Sequence, residues 1–275
     1  MEQIEPLSSI APYMTGQGNH ERDFPLSGNS IGAGDSGGEC GVPTQSRFLN
    51  PVCPQPNIFS CIGSPKTNAV PFQLNSDDTK KYTGPIGSQN DGWYSFNQGS
   101  AHFLMLNTEM SSHTNSRQHQ FVENDLKNVN RTMTPWVFVF GHRQMYAYNI
   151  STPENDMGDL EPLLMQYKVD ITFWGHIHFA QATCPMYKGK CVTTKDASGY
   201  DAPIHTVIGN AGQSLTPVSL PAAPWSNYCA AKFGFSHVEI SNATHLSMKF
   251  FNDVPLGETP TIDHSFDLVR KYPRV

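Results

Sequence analysis

Three short apolar runs in this chain each end in glycine followed by side chains able to bind a metal ion: Tyr13-Met14-Thr15 before Gly18-Asn19-His20, Trp136 to Phe140 before Gly141-His142, and Asp170 to Trp174 before Gly175-His176-Ile177-His178. Each run reads as a strand. Helical spacing precedes two of them, with Phe121, Val122, Leu126 and Val129 on one face of residues 118–129 and Leu160, Leu163, Leu164 and Tyr167 on one face of residues 159–169. Helix, strand, helix, strand is the pattern of an α/β domain. In such sheets, loops at the carboxyl ends of the strands gather at one crevice, so these strand ends can bring Asn19, His142, His176 and His178 together. Glycine before a ligand lets the backbone turn sharply and approach an ion closely.

The donor types define a chemistry. Imidazole suits zinc, iron and related ions, and a carboxamide oxygen adds a harder neutral donor. His176 and His178, separated by a single residue, are read as reaching two ions rather than chelating one. A two-metal centre of this kind activates a water and clamps the attacking and leaving oxygens of a phosphoryl displacement. Of the 11 histidines, His102, His113, His119, His205, His237, His245 and His264 lack this context and receive no site role.

Composition removes other function classes. The formal charge of −6 leaves no basic stripe for a phosphate backbone, so nucleic-acid binding is not expected. The longest apolar run, Trp136 to Phe140, is far too short to span a bilayer. The 22 Gly and 21 Pro argue for long loops, concentrated in residues 23–92. Elsewhere residues 93–96 and 102–106 read as a hairpin, and 200–275 as mostly β with antiparallel pairing. Ile4 and Leu7 mark the end of a helix closed by Ala11-Pro12.

Among the six Cys, Cys53 with Cys61 and Cys184 with Cys191 can close short loops, which leaves Cys40 and Cys229 to pair over a long distance; 15 connectivities stay open. Sequons stand at Asn130, Asn149 and Asn242. Cysteine parity and sequons together point to a secretory or vacuolar origin. The start, Met1-Glu2-Gln3-Ile4-Glu5-Pro6, has acids where a signal peptide needs basic residues. Either the chain is cytosolic, or its natural beginning lies upstream.

These blocks resemble the calcineurin-like metallophosphoesterases, and more closely the purple acid phosphatases. Gly18-Asn19-His20-Glu21-Arg22-Asp23 is similar to their Asn-His block, Val139 to Tyr146 to their Val-x-x-His block, and Gly175 to His178 to their Gly-His-x-His block. Asp35 to Pro43 and Ala182 to Tyr187 are similar to linking segments of larger members. The resemblance implies a four-layer α/β/β/α sandwich with mixed sheets. It also implies a binuclear centre of Fe3+ with Zn2+, Mn2+ or Fe2+. Asn19, His142 and His176 would bind the divalent ion, His178 the ferric ion, and His20 would stabilise phosphate charge and assist the leaving group.

The family's further pair of substrate-facing histidines has no counterpart between Tyr146 and Asp156, which leaves Arg143, Tyr146 and Asn149 as second-rank substrate contacts. The two upstream Asp blocks, with the bridging carboxylate and the tyrosinate, also have no counterpart, and Asp23 and Asp35 follow Asn19 rather than precede it. Residues 1–275 are therefore expected to form a partial catalytic domain lacking its first strands, with an unpaired sheet edge and only the divalent ion held. The implied activity is an acid phosphatase hydrolysing phosphate monoesters through a metal-bound hydroxide, impaired in this chain, in a secreted, vacuolar or lysosomal protein. Two alternatives stand beside it: a nucleotide pyrophosphatase or phosphodiesterase, and a non-catalytic secreted glycoprotein that keeps the scaffold.

Overall fold

The computed structural model describes residues 4–22, 44, 47, 48, 50, 92–148, 150, 153, 157–212, 214–219 and 223–270. The expected positions Cys40, Cys53, Cys61 and Asn149 lie outside the described residues.

A mixed sheet of eight strands carries the site, in the order β1-β2-β3-β4-β7-β5-β6 with β8 paired to β5. The expected hairpin is β1 (Tyr94–Gln98) and β2 (Ala101–Met105), antiparallel, turning at Gly99 with φ of 56°. From β2 the sheet runs parallel through β3 (Trp136–Gly141), β4 (Ile171–Trp174) and β7 (Ile204–Ile208). Strand β5 (Ala180–Tyr187) then pairs antiparallel with β7, β6 (Lys190–Cys191) and β8 (Ser226–Ala230). The carboxyl ends of β2, β3, β4 and β7 consequently share one edge.

Alternation along β3 assigns the two faces. Val137 and Val139 enter the cluster beneath the helices, while Trp136 and Phe138 enter the cluster beneath a second sheet. Helices α3 (Arg117–Asn128) and α4 (Met157–Gln166) cover the first face through Phe121, Val122, Leu126, Leu160 and Leu164. Ser116 caps α3 by accepting from the His119 N–H at 3.1 Å. The second sheet, β11-β10-β9 (Ile262–Val269, His245–Asn252, Gly234–Ile240), covers the other face with Leu246, Met248 and Phe250. Three of the expected layers, helix, sheet and sheet, are thus present among the described residues. Two short helices precede them, α1 (Glu5–Ser8), at the expected helical end, and α2 (Asn19–Arg22).

Several elements differ from the sequence reading. Tyr13-Met14-Thr15 is not a strand. The Thr15 N–H donates to the Asn50 carboxamide at 3.4 Å and its carbonyl accepts the Tyr94 hydroxyl at 2.8 Å, so side chains occupy the groups a ladder would use. Strand β7 pairs parallel with β4, because its chain crosses back and enters beside Asp170, whose carbonyl accepts the Ile204 N–H at 3.1 Å. Strand β5 has no clear strand signature since it contains Pro185. The proline sits where the register with β7 shifts, and the sheet tolerates it there.

The amino end of the parallel strands is pinned by charge. Asp170, fully buried, accepts from the Val137 N–H at 2.9 Å, ion-pairs with Arg270 and has Arg131 at 3.7 Å. Arg270 lies 3.5 Å over the Trp136 ring and donates to the Pro135 carbonyl, which ties the chain after β11 to the start of β3. Removing one partner of such a cluster strands a buried charge, so Asp170→Asn should lower stability by about 3 kcal/mol, read from the urea midpoint.

A second expectation concerns acid. His205 is 1% exposed, its Nδ1 is 2.9 Å from the Thr172 hydroxyl, and burial lowers its pKa to about 3. The unfolded chain takes up this proton near pH 6.5 and the folded chain does not. Stability from this residue is therefore full above about pH 7 and declines by up to about 1.4 kcal/mol per pH unit as pH falls toward 3. Urea titrations at pH 7.5, 5.5 and 4.5 should show this slope, and His205→Gln should reduce it.

Candidate metal centre

Three donor atoms from three distant parts of the chain converge at the carboxyl edge of the sheet. His142 Nε2 lies 2.6 Å from Asn19 Oδ1 and 3.1 Å from His176 Nδ1, and His176 Nδ1 lies 3.2 Å from Asn19 Oδ1. These are separations of roughly 3 Å, the spacing of neighbouring donors around a small cation with bonds near 2 Å. The two imidazoles meet edge to face at 74°. Burial, reinforced by His176, Arg143, His20 and His178, lowers the pKa of His142 to about 3, so its ring is neutral and offers a lone pair.

Backbone features make this convergence possible. A Cβ on Gly18 would lie 2.7 Å from the His142 ring, so only glycine lets the Asn19 segment pass so close. Gly141 is equally constrained, with a Cβ position 2.7 Å from the Trp174 ring. Gly175 is not, because a Cβ there would make ordinary contact with His142 Nδ1 at 3.5 Å. His176 itself has φ of 65°, an uncommon conformation for a residue with a side chain, and the Gly175 N–H bonded to the His142 carbonyl at 2.8 Å anchors it. The Asn-His block also forms a turn of its own, with the Gly18 N–H donating to Glu21 at 3.0 Å.

The remaining candidates fall outside the triangle. His178 diverges from His176: its Nδ1 is 3.3 Å from the Ser214 hydroxyl, and its N–H donates to the Thr216 hydroxyl at 3.2 Å. His20 is exposed at the start of α2, close enough to act electrostatically on His142. Tyr146 is 1% exposed and donates to Glu161 while accepting from the Gly189 N–H at 3.0 Å, so it is a core residue and not a substrate contact. Arg143 engages Glu109 with two nitrogens at 2.8 to 3.1 Å.

Sequence reasoning missed Thr108 and Glu109, which follow β2 at the same edge, and Gly209 after β7. A Cβ on Gly209 would lie 2.2 Å from the Ile177 carbonyl, so this glycine lets the His176 to His178 turn fold over the end of β7. The signal was present, since Ile208-Gly209-Asn210 repeats the pattern of strand, glycine and polar residue.

Donor chemistry sets what the centre can hold. Two imidazoles and a carboxamide oxygen fit a divalent ion. Among the described residues no group of three or more His, Cys, Asp or Glu side chains is arranged for a metal. His178 is thus in no such group among the described residues, and a single imidazole does not match a ferric ion.

This donor set, ordered along the chain as an Asn-His block, Gly-His and Gly-His-x-His, coincides with a family match. Residues 1–180 match the calcineurin-like phosphoesterases and residues 202–263 match the "Iron/zinc purple acid phosphatase-like protein C" domain. The chain belongs to the purple acid phosphatase branch of the calcineurin-like phosphoesterases. Its fold is similar to a purple acid phosphatase from yellow lupin (Lupinus luteus) seeds, with TM-score 0.75 and 30% identity over 98% of this chain and 43% of that one. A relative from Arabidopsis thaliana named "Probable inactive purple acid phosphatase 27" is 32% identical over 98% of this chain and 40% of its own length. A "Nucleotide pyrophosphatase/phosphodiesterase" from Hordeum vulgare is 27% identical over 90% of this chain and 61% of its own. The chain thus spans about 40% of the Arabidopsis relative.

The close passage at Gly18 supplies a test. Gly18→Ala leaves every donor in place but pushes the Asn19 segment off the His142 ring. Calorimetric titration with Zn2+ or Mn2+ should show affinity reduced about tenfold or more, with unchanged circular dichroism.

Proposed function

We propose that this chain is a metal-dependent phosphoesterase of the acid phosphatase type, acting on phosphate monoesters at a divalent ion held by Asn19, His142 and His176. The observation that carries this reading is the triangle of donor atoms at 2.6, 3.1 and 3.2 Å. A divalent ion in such a place polarises a phosphoryl oxygen and lowers the pKa of a water. The chain's own side chains would then do the rest. Asn19, His142 and His176 would hold that ion, and their placement at the sheet edge sets where the ester docks. His20, exposed beside them, stabilises charge on the phosphate oxygens and passes a proton to the departing alkoxide. Arg143, fixed by Glu109, borders the same edge and donates to a phosphate oxygen. No step is assigned to a ferric ion, because the described donors do not fit one.

Two further readings have specific support. The barley relative favours hydrolysis of nucleotide diesters or pyrophosphates. The Arabidopsis relative named as inactive favours a scaffold without turnover. A secreted or vacuolar/lysosomal location is part of the proposal, supported by the Cys184–Cys191 disulfide and by the exposed Asn130 and Asn242, each on a turn where its own carboxamide accepts backbone N–H groups. Among the described residues Cys229 is a free thiol packed against the core, with its pKa pushed up to about 11 by burial, and Cys40, its expected partner, lies outside the described residues.

Metal analysis and turnover decide among these readings. The purified protein should carry about one divalent ion per chain and hydrolyse p-nitrophenyl phosphate, with His142→Ala losing both the ion and at least about a hundredfold in rate. A chain with no ion and no turnover would leave only the scaffold reading.

A further inference from the structure

We propose that Glu109 neutralises and aims Arg143, turning it into a hydrogen-bond donor without net charge, so that the site admits singly charged phosphodiesters beside doubly charged monoesters. This deepens the phosphoesterase reading above and rests on it. Arg143 directly follows His142 at the end of β3 and acts electrostatically on it, and Glu109 lies just past β2 at the same sheet edge. The guanidinium Nε donates to both carboxylate oxygens at 2.8 and 3.1 Å, and Nη2 donates to one at 3.0 Å. This fork holds the guanidinium plane in one orientation. The Arg143 N–H donates to the Thr108 hydroxyl at 2.9 Å, which sets its backbone as well. The side chains are 18% and 12% exposed, so the pair is screened from bulk water yet reachable from the edge.

The consequence for substrate follows from charge. Near neutral pH a phosphate monoester carries close to two negative charges and a diester carries one. An unpaired arginine at the rim would reward the extra charge of the monoester, whereas the carboxylate of Glu109 opposes it. Cancelling the two removes most of that advantage, and the fixed N–H groups still bind the oxygens common to both esters.

Binding separates this proposal from the reading it rests on. Phenyl phosphate and diphenyl phosphate would be titrated into the divalent-loaded protein at pH 7.5, by calorimetry, without turnover as a readout. Glu109→Gln keeps the shape and an acceptor oxygen. It should tighten phenyl phosphate roughly three- to tenfold and change diphenyl phosphate much less, as one unit charge at a partly exposed rim predicts. Arg143→Gln should shift the preference the opposite way, and the double variant E109Q/R143Q should return the ratio close to that of the unaltered protein. Thermal unfolding of each variant shows that the fold persists, and the double variant, which leaves no uncompensated charge, serves if a single one unfolds. Both esters binding with a ratio that Glu109→Gln does not move would overturn the proposal while leaving the phosphoesterase reading standing. Binding of neither ester would overturn both.

Discussion

The candidate metal centre depends on β3 and β4 running parallel and in register, with Gly141 opposite Trp174. This alignment delivers His142 and His176 to the same edge one residue beyond each strand pairing, or two. Glycine at 141 admits the Trp174 ring, and glycine at 18 admits the His142 ring, so aromatic packing and ligand convergence are the same geometric event. The opposite end of these strands is held by Asp170 and its two arginines. The sheet therefore has a charged, sealed end for stability and a neutral, donor-rich end for chemistry.

A neutral donor set has its own logic. Burial keeps the His142 imidazole uncharged, and Asn19 contributes an oxygen without charge. A divalent cation placed among them keeps its full charge, available to a phosphate, instead of spending it on protein carboxylates. Of the carboxylates nearby among the described residues, Glu109 is engaged by Arg143 and Glu21 accepts the Gly18 N–H. Charge at this edge is thus distributed between an ion pair and uncharged donors.

Much of this was legible in the chain. The helices under the sheet, the β1–β2 hairpin and the runs forming β3 and β4 all follow from hydrophobic spacing, because both faces of the central strands are covered and their apolar residues are contiguous. Asn19, His142 and His176 were legible because a glycine and a ligand recur at strand ends. Tyr146 misled because its hydroxyl suggests a surface role, whereas Glu161 and the Gly189 N–H satisfy it in the interior. Strand β5 escaped notice because Pro185 interrupts its run.

By itself the sequence determined the α/β order, the identity of the three converging donors and the family to which the chain belongs, since each depends on local spacing and on motifs read along the chain. Only the tertiary structure decided that His178 turns to Ser214 rather than to the triangle, that Thr15 bonds to side chains instead of a strand, and that Glu109 meets Arg143 from 34 residues away. Each of these depends on where distant segments are brought by packing, and no periodicity along the chain encodes a contact whose partners lie on different strands.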